Sequence, residues 1–292
     1  MFKKNSNKKT KKFAFSLIEL SIVLLVIGIL MVGASQGYNI VRSAQISNAR
    51  SITAKSPILQ MQGLLAWYET SQKESLDQSK LKDGNNILIW KDINPTSILS
   101  GANQPTATSV TYTQSSINKI PALKFSGSSK LSLATLSQGA SSQATVFLVI
   151  KLNYIPDASN YKTIFDGNSA TFSFSIKSDA VQINMGDSSP ISKSYSSGFS
   201  NSGEYVIAIY FNGLNSKVFI NSTTTMVDNS DIASTGTNQL VGITLGSNKD
   251  SQNGFSGNIS EVAVFNRVIK ASERKEIFTY FSKKYKIEIT GV

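Results

Sequence analysis

Glu19 is the residue whose setting most demands chemistry. It is the single carboxylate in the twenty-residue apolar run 15–34. A run of that length can cross a bilayer as a helix. A carboxylate there costs about 2.5–3.5 kcal/mol near the bilayer centre and less near its edge, so it asks for a partner. The chemistry it offers is charge pairing in a low-dielectric medium, where a pair is worth far more than in water. Further along, Asp179, Glu204 and Glu261 stand singly among apolar or small neighbours. The chain has no histidine and no cysteine. Those absences exclude Ser-His-Asp triads, Cys-His dyads, histidine-bound zinc and disulfides.

The element that must hold Glu19 is a helix with a basic flank. Residues 1–14 carry Lys3, Lys4, Lys8, Lys9, Lys11 and Lys12 and no acid, which keeps that flank in the cytoplasm. A cleaved secretory signal or a plain signal anchor fits the apolar core, and Ala34 and Ser35 follow it where a small-residue cleavage site belongs. Neither explains the order Phe13-Ala14-Phe15-Ser16-Leu17-Ile18-Glu19. At these residues the chain resembles the type IV pilin and pseudopilin family. The resemblance covers about forty residues, in a family whose leader ends in a small residue before Phe-Thr/Ser-Leu-Ile-Glu and a long apolar stretch.

By that resemblance Ala14 is the last leader residue, standing where Gly is usual, and Phe15 the first of the mature chain. A prepilin peptidase would cut between them and the Phe15 amine would be methylated. Glu19 would then meet the N-terminal amine of a neighbouring subunit. A lone buried carboxylate is heavily penalised, so the pairing helps select subunit register; the competing reading is that Glu19 snorkels to headgroups. Beyond the run, Ile40, Val41, Ala44, Asn48 and Ile52 fall near one helical face. No proline interrupts 15–56 and Pro57 is a natural stop, so one helix over 15–56 is expected. Residues 57–62 are expected as a linker and 63–292 as a head.

Removing the six leader lysines takes the formal charge from +11 to +5. With no dense Lys/Arg stripe outside the leader, nucleic acid is not an expected partner. From residue 63 short β-rich runs alternate with Ser, Asn and Gly clusters. Strands are expected at 87–91, 122–125, 144–151, 162–165, 171–177, 181–185, 205–211, 217–220, 242–245 and 257–265. Alternation is clear in 172–176, and 206–210 is continuous enough to be central. Together they suggest an antiparallel sandwich, with a four-stranded pilin-type head as the rival. Residues 271–285 predict a helix N-capped by Ser272 with Glu273 in its first turn. Its apolar face holds Ile277, Phe278, Phe281 and Tyr285, Lys283 and Lys284 sit near its negative end, and it is expected to pack on the sandwich edge.

Several phrases of the head resemble the laminin-G-like, concanavalin A-like superfamily. They are Gly63-Leu-Leu-Ala-Trp67-Tyr68-Glu69, Trp90-Lys-Asp92, Pro121-Ala-Leu-Lys-Phe125-Ser-Gly127, Tyr210-Phe-Asn212-Gly213 and Lys217-Val-Phe-Ile-Asn221. The most specific is Phe255-Ser-Gly257-Asn-Ile259-Ser-Glu261-Val-Ala-Val264-Phe265-Asn266-Arg267, ahead of a helix with Glu273-Arg274. The fold class is therefore mainly β, a long N-terminal transmembrane helix followed by a jelly-roll sandwich and a C-terminal helix. Trp67 and Trp90 are expected in the sandwich core with their N–H groups on backbone carbonyls. Gly257 is expected at a close approach or bulge, and Asn212-Gly213 and Asn266 in turns. Glu261 is expected to face away from Ile259.

Some concanavalin A-like proteins are glycoside hydrolases, whose paired acids sit on one strand as Glu-x-Asp-x-Glu. No such triple occurs, so the chain does not read as an enzyme. Calcium needs six to eight oxygens. Asp166-Gly-Asn168, Asp187 and Asn248-Lys-Asp250 offer some, but such loops equally mark ordinary turns. No cofactor is expected, calcium stays open, and no metal site is named.

The pilin resemblance implies a minor pilus or pseudopilus subunit, single-pass in a bacterial inner membrane. Its head would be periplasmic, or extracellular once assembled. The implied partners are other pilin subunits, the prepilin peptidase and methylase, a pilus or secretion platform and inner-membrane lipid. A glycan or other surface ligand is implied for an adhesive head. The alternatives are a structural pseudopilin of a type II-like secretion system without a ligand, and a DNA-uptake minor pilin.

Overall fold

The computed structural model describes residues 16–95, 105–136, 139–169 and 171–292. It divides into two compact units, Met1–Ala44 and Gln45–Val292. Helix α1 (Leu17–Ala54) supplies all the described residues of the first unit but one, and its last ten residues belong to the second. Its apolar part is long enough to cross a membrane, and none of the apolar window is buried against protein. The helix stops at Ala54, short of the expected residue 56. Pro57 then opens a single 3-10 turn, Pro57–Gln60, capped by the Ser56 hydroxyl. Ile58 in that turn is fully buried, so the segment expected as a linker is packed into the head.

The second unit is an antiparallel sandwich of two seven-stranded sheets, which settles the architecture against a four-stranded head. In chain order the strands are β1 (Leu64–Glu69), β2 (Thr106–Thr108), β3 (Thr111–Thr113), β4 (Ala122–Ser126), β5 (Lys130–Leu133), β6 (Ala144–Leu152) and β7 (Lys162–Asp166). They continue with β8 (Ser173–Lys177), β9 (Ala180–Asn184), β10 (Ile191–Ser194), β11 (Glu204–Phe211), β12 (Lys217–Ile220), β13 (Ile243–Leu245) and β14 (Ser256–Phe265). Helix α2 (Ala271–Tyr285) follows. The first sheet runs β12-β11-β6-β14-β4-β3, with β1 pairing the far half of β14; the second runs β10-β9-β8-β7-β13-β5-β2.

The two sheets differ in what covers their outer faces, and the sequence of their strands reflects it. In β11, Ile207 and Ile209 point between the sheets while Val206, Ala208 and Tyr210 point outward. In β6 the outward Phe147 and Val149 do the same. These strands are apolar on both faces because α2 lies over the outer face of the first sheet, burying Ile277, Phe278 and Phe281 there. The expected site for this helix, the sandwich edge, is thus corrected to a sheet face. The second sheet alternates in β8 and β9, where Phe174, Ile176, Val181 and Ile183 enter the core and Ser173, Ser175, Gln182 and Asn184 face out; β7 breaks the pattern at a bulge that puts both Ile164 and Phe165 in the core.

Three local expectations are corrected. The segment 87–91 forms no ladder. Asn86 bridges Thr111 of the first sheet and Ile89 bridges Thr106 of the second, so it crosses between sheets while Ile87 and Trp90 plug the core. Helix α2 is capped at Lys270, not Ser272: Glu273 accepts the Lys270 backbone N–H at 2.8 Å and is clamped by both Arg267 nitrogens at 2.8 and 2.6 Å. Lys284, expected near the negative end of the helix, does lie in its last turn, but its side chain is buried.

Strand β14 does place Glu261 and Ile259 on opposite faces, though alternation alone would put them on the same one. The register against β6 slips between Ile259 and Glu261. Ser260 is the extra residue of this bulge, and it turns Glu261, Ala263 and Phe265 toward α2.

Candidate functional site

At the start of α1, Ser16 and Glu19 form a capping box. The Glu19 carboxylate accepts the Ser16 backbone N–H at 2.9 Å, and the Ser16 hydroxyl accepts the Ile18 N–H at 3.3 Å. Reciprocal bonds of this kind satisfy the orphan donors of a helix start. The Ser-x-x-Glu spacing was open to view in the sequence and marks the helix start directly. Ala14 and Phe15, the expected processing positions, lie outside the described residues.

The acids of the head have a different arrangement from the one expected. Glu261 does not stand alone; it shares a fully buried cluster with Glu69 and Lys284. The Lys284 ammonium donates to Glu69 Oε1 at 2.6 Å and to Glu261 Oε2 at 2.7 Å. Glu261 also accepts the Trp67 indole N–H at 2.7 Å and the Tyr280 and Tyr285 hydroxyls, each at 2.8 Å. Glu69 accepts the backbone N–H groups of Ser71 and Gln72, both at 2.8 Å.

Burial pushes the Glu261 carboxyl up, and Lys284 opposes it. Burial and then the neighbouring carboxylates push both tyrosines well above the usual phenol range, so both hydroxyls remain donors. Four donors thus fill the four lone-pair positions of Glu261, an arrangement that serves its ionised form. Trp67 belongs to this cluster under α2 and not to the inter-sheet core, a correction. Trp90 does reach a backbone carbonyl, Glu69 O, at 3.3 Å.

The oxygen-bearing loops close turns. Asp166 accepts the N–H groups of Asn168 at 2.7 Å and Lys249 at 3.2 Å, and burial pushes its carboxyl up. Asp187 accepts the Ser234 hydroxyl and the Thr235 N–H and hydroxyl. Among the described residues no three His, Cys, Asp or Glu side chains gather as metal ligands.

Across the second sheet, pairing aligns Asn184, Ser173, Asp166, Thr244, Ser132 and Thr106 in one polar row over six strands. Asn184, Asp166 and Thr244 are buried, so this row is not an open surface. Beyond the end of that sheet a groove of about 440 Å³ runs between the segments after β10 and β12. Ser194, Tyr195, Asn221, Ser222, Asp228 and Asn229 line it. Asn221, Asp228 and Asn229 all have left-handed backbone, uncommon for residues other than glycine. Nothing in the sequence marked the groove, because its residues come from separated loops of ordinary Ser/Asn composition.

No family model matches this chain, and no curated protein matches it. The fold does match solved structures. The binding domain of Paraclostridial Mosquitocidal Protein 1 superposes with a TM-score of 0.53 at 16% identity, over 77% of this chain and 53% of that one. Trypanosoma rangeli sialidase in complex with sialic acid gives 0.52 at 12%, over 76% of this chain and 33% of that one. Domain 4 of an extracellular arabinanase from Geobacillus stearothermophilus, in complex with arabinotriose, gives 0.49 at 17%, over 73% and 97%. The chain spans about half of the toxin binding domain and a third of the sialidase. The first two likenesses establish a shared sandwich fold.

Proposed function

We propose that this chain is a minor type IV pilin-like subunit that carries a ligand-binding sandwich head. Residues 1–14 act as the removed leader, α1 as the inner-membrane and assembly helix, and the head as the recognition module. The observation that carries the reading is Glu19, the single carboxylate of an apolar helix that no protein surface covers. In the unassembled subunit its partner is its own Ser16 N–H. A neighbour's Phe15 amine, being charged, offers a stronger bond to the same oxygen. On this reading assembly exchanges a capping bond for an ion pair. The partners are other pilin subunits, a prepilin peptidase and an assembly platform.

For the head, fold analogy gives an associational warrant only. One neighbour is a toxin binding domain and another a sialidase holding sialic acid, which makes a glycan the first ligand class to test. The groove beside Tyr195 and Asp228 falls within the size range of small-ligand sites.

The test is the N-terminus of the full chain, expressed with a prepilin peptidase and sequenced by mass spectrometry. A methylated Phe15 is the expected product, and cleavage after Ser35 would overturn the reading. Glu19→Ala is expected to be processed normally and to be lost from filaments by tenfold or more.

A further inference from the structure

The Glu69–Glu261–Lys284 cluster holds more chemistry than an ion pair requires. Lys284 carries the head's most deeply enclosed amine, with its side chain wholly shielded from solvent, as are both carboxylates. Its Nζ lies 2.6 Å from Glu69 Oε1, a spacing at which amine and carboxyl carbon are in reach of each other. Two backbone N–H groups already bind the Glu69 oxygens, Ser71 on Oε1 and Gln72 on Oε2. They sit where an oxyanion would form if nitrogen attacked the Glu69 carboxyl carbon. Glu261 accepts from the same Nζ at 2.7 Å and is fixed by Trp67, Tyr280 and Tyr285.

We propose that Lys284 and Glu69 condense into an internal amide cross-link, with Glu261 as the proton acceptor. The steps balance without any oxidant or cofactor. Glu261 takes a proton from the Lys284 ammonium and leaves a neutral amine. The acid form of Glu69 is reached by passing that proton on. The amine attacks the Glu69 carboxyl carbon, and the tetrahedral centre loses one of its two oxygens as water. An ammonium and a carboxylate become one amide and one water. In bulk water the ions are favoured, but here their desolvation is costly and the amide removes both charges. Fixed juxtaposition supplies the rate, since effective molarities for such pairs reach roughly 10⁵–10⁸ M.

The link would join positions 215 residues apart, the first strand of the head to its last helix. The chain has no cysteine to make such a closure.

The experiment is trypsin digestion of the purified, denatured full-length protein with tandem mass spectrometry. The expected product is a branched peptide joining residues 56–73 to residues 284–286, lighter by one water than the two together, with no cleavage after Lys284. Fragmentation is expected to place the branch on Glu69. Glu261→Gln is expected to lower the branched product at least tenfold. A free 56–73 peptide with full cleavage after Lys284 in the folded wild-type protein would overturn the proposal, and so would a branch on Glu261. The wild-type digest decides the matter even if the variant fails to fold.

Discussion

At the scale of single residues, the outer side of the first sheet is organised around Lys284, whose amine lies between Glu69 and Glu261 with all three side chains shielded from solvent. Glu69, Glu261 and Lys284 lie on three separate elements, and no spacing rule connects them. In the sequence Lys284 shows only as a cation beside Lys283 near a helix end, where cations suit the dipole. What puts it inside is helical phase: it is one residue from Tyr285 and three from Phe281, both buried. Glu19 was legible for the opposite reason, since one acid in an apolar run is conspicuous without any tertiary contact. Removing the buried cation tests the energetics. Lys284→Met removes the nitrogen from the cluster, and with it the proposed amide, and leaves Glu69 and Glu261 as two buried carboxyl groups without a cation; breaking a buried pair in this way costs about 3–5 kcal/mol. Urea unfolding of the full chain in detergent is expected to show a loss of that order, and a change below about 1 kcal/mol would mean the network adds little.

At the scale of elements, the strands legible beforehand were those with a face-to-face contrast or an unbroken apolar run. β8 shows the contrast and β11 the run, and both fall within two residues of expectation. β1 escaped notice because Leu64–Glu69 neither alternates nor is uniformly apolar; all six of its residues are buried, and its glutamate is neutralised from a distance. The 87–91 segment looked like a strand by composition, yet it serves two sheets and belongs to neither. The bulge at Ser260 could not be read at all, since one extra residue leaves no trace in composition. Its effect is large. Without the slip, period-two alternation would put Glu261 in the inter-sheet core beside Ile259. Because the pairing already steps past Ser260, deleting it removes the bulge and leaves Ile259 facing inward and Glu261, Ala263 and Phe265 facing α2. The expected outcome is a head that keeps a cooperative unfolding transition, and loss of that transition would refute the role given to Ser260.

At the scale of the whole head, two hydrophobic clusters lie on either side of the first sheet. The outer one depends on α2, on the 3-10 turn at Pro57–Gln60 and on the last turns of α1. Ala49 is buried there and Thr53 meets the Tyr280 hydroxyl at 3.2 Å. A chain ending at Lys270 would strip the outward faces of β6, β11 and β14 of their cover. Exposing an apolar sheet face of that kind invites association. Light scattering of such a truncation is expected to show aggregates where the full chain, in the same detergent, does not.

Gln45–Ala54 and α2 both lie on the outer side of the first sheet, and Thr290 pairs beside Ser222, just beyond the end of β12. Thr290 also lines the groove that holds Ser222 and Asp228. A tag or second domain fused after Val292 therefore begins two residues from that groove and crowds it, so a binding assay on the head needs its C-terminus left bare.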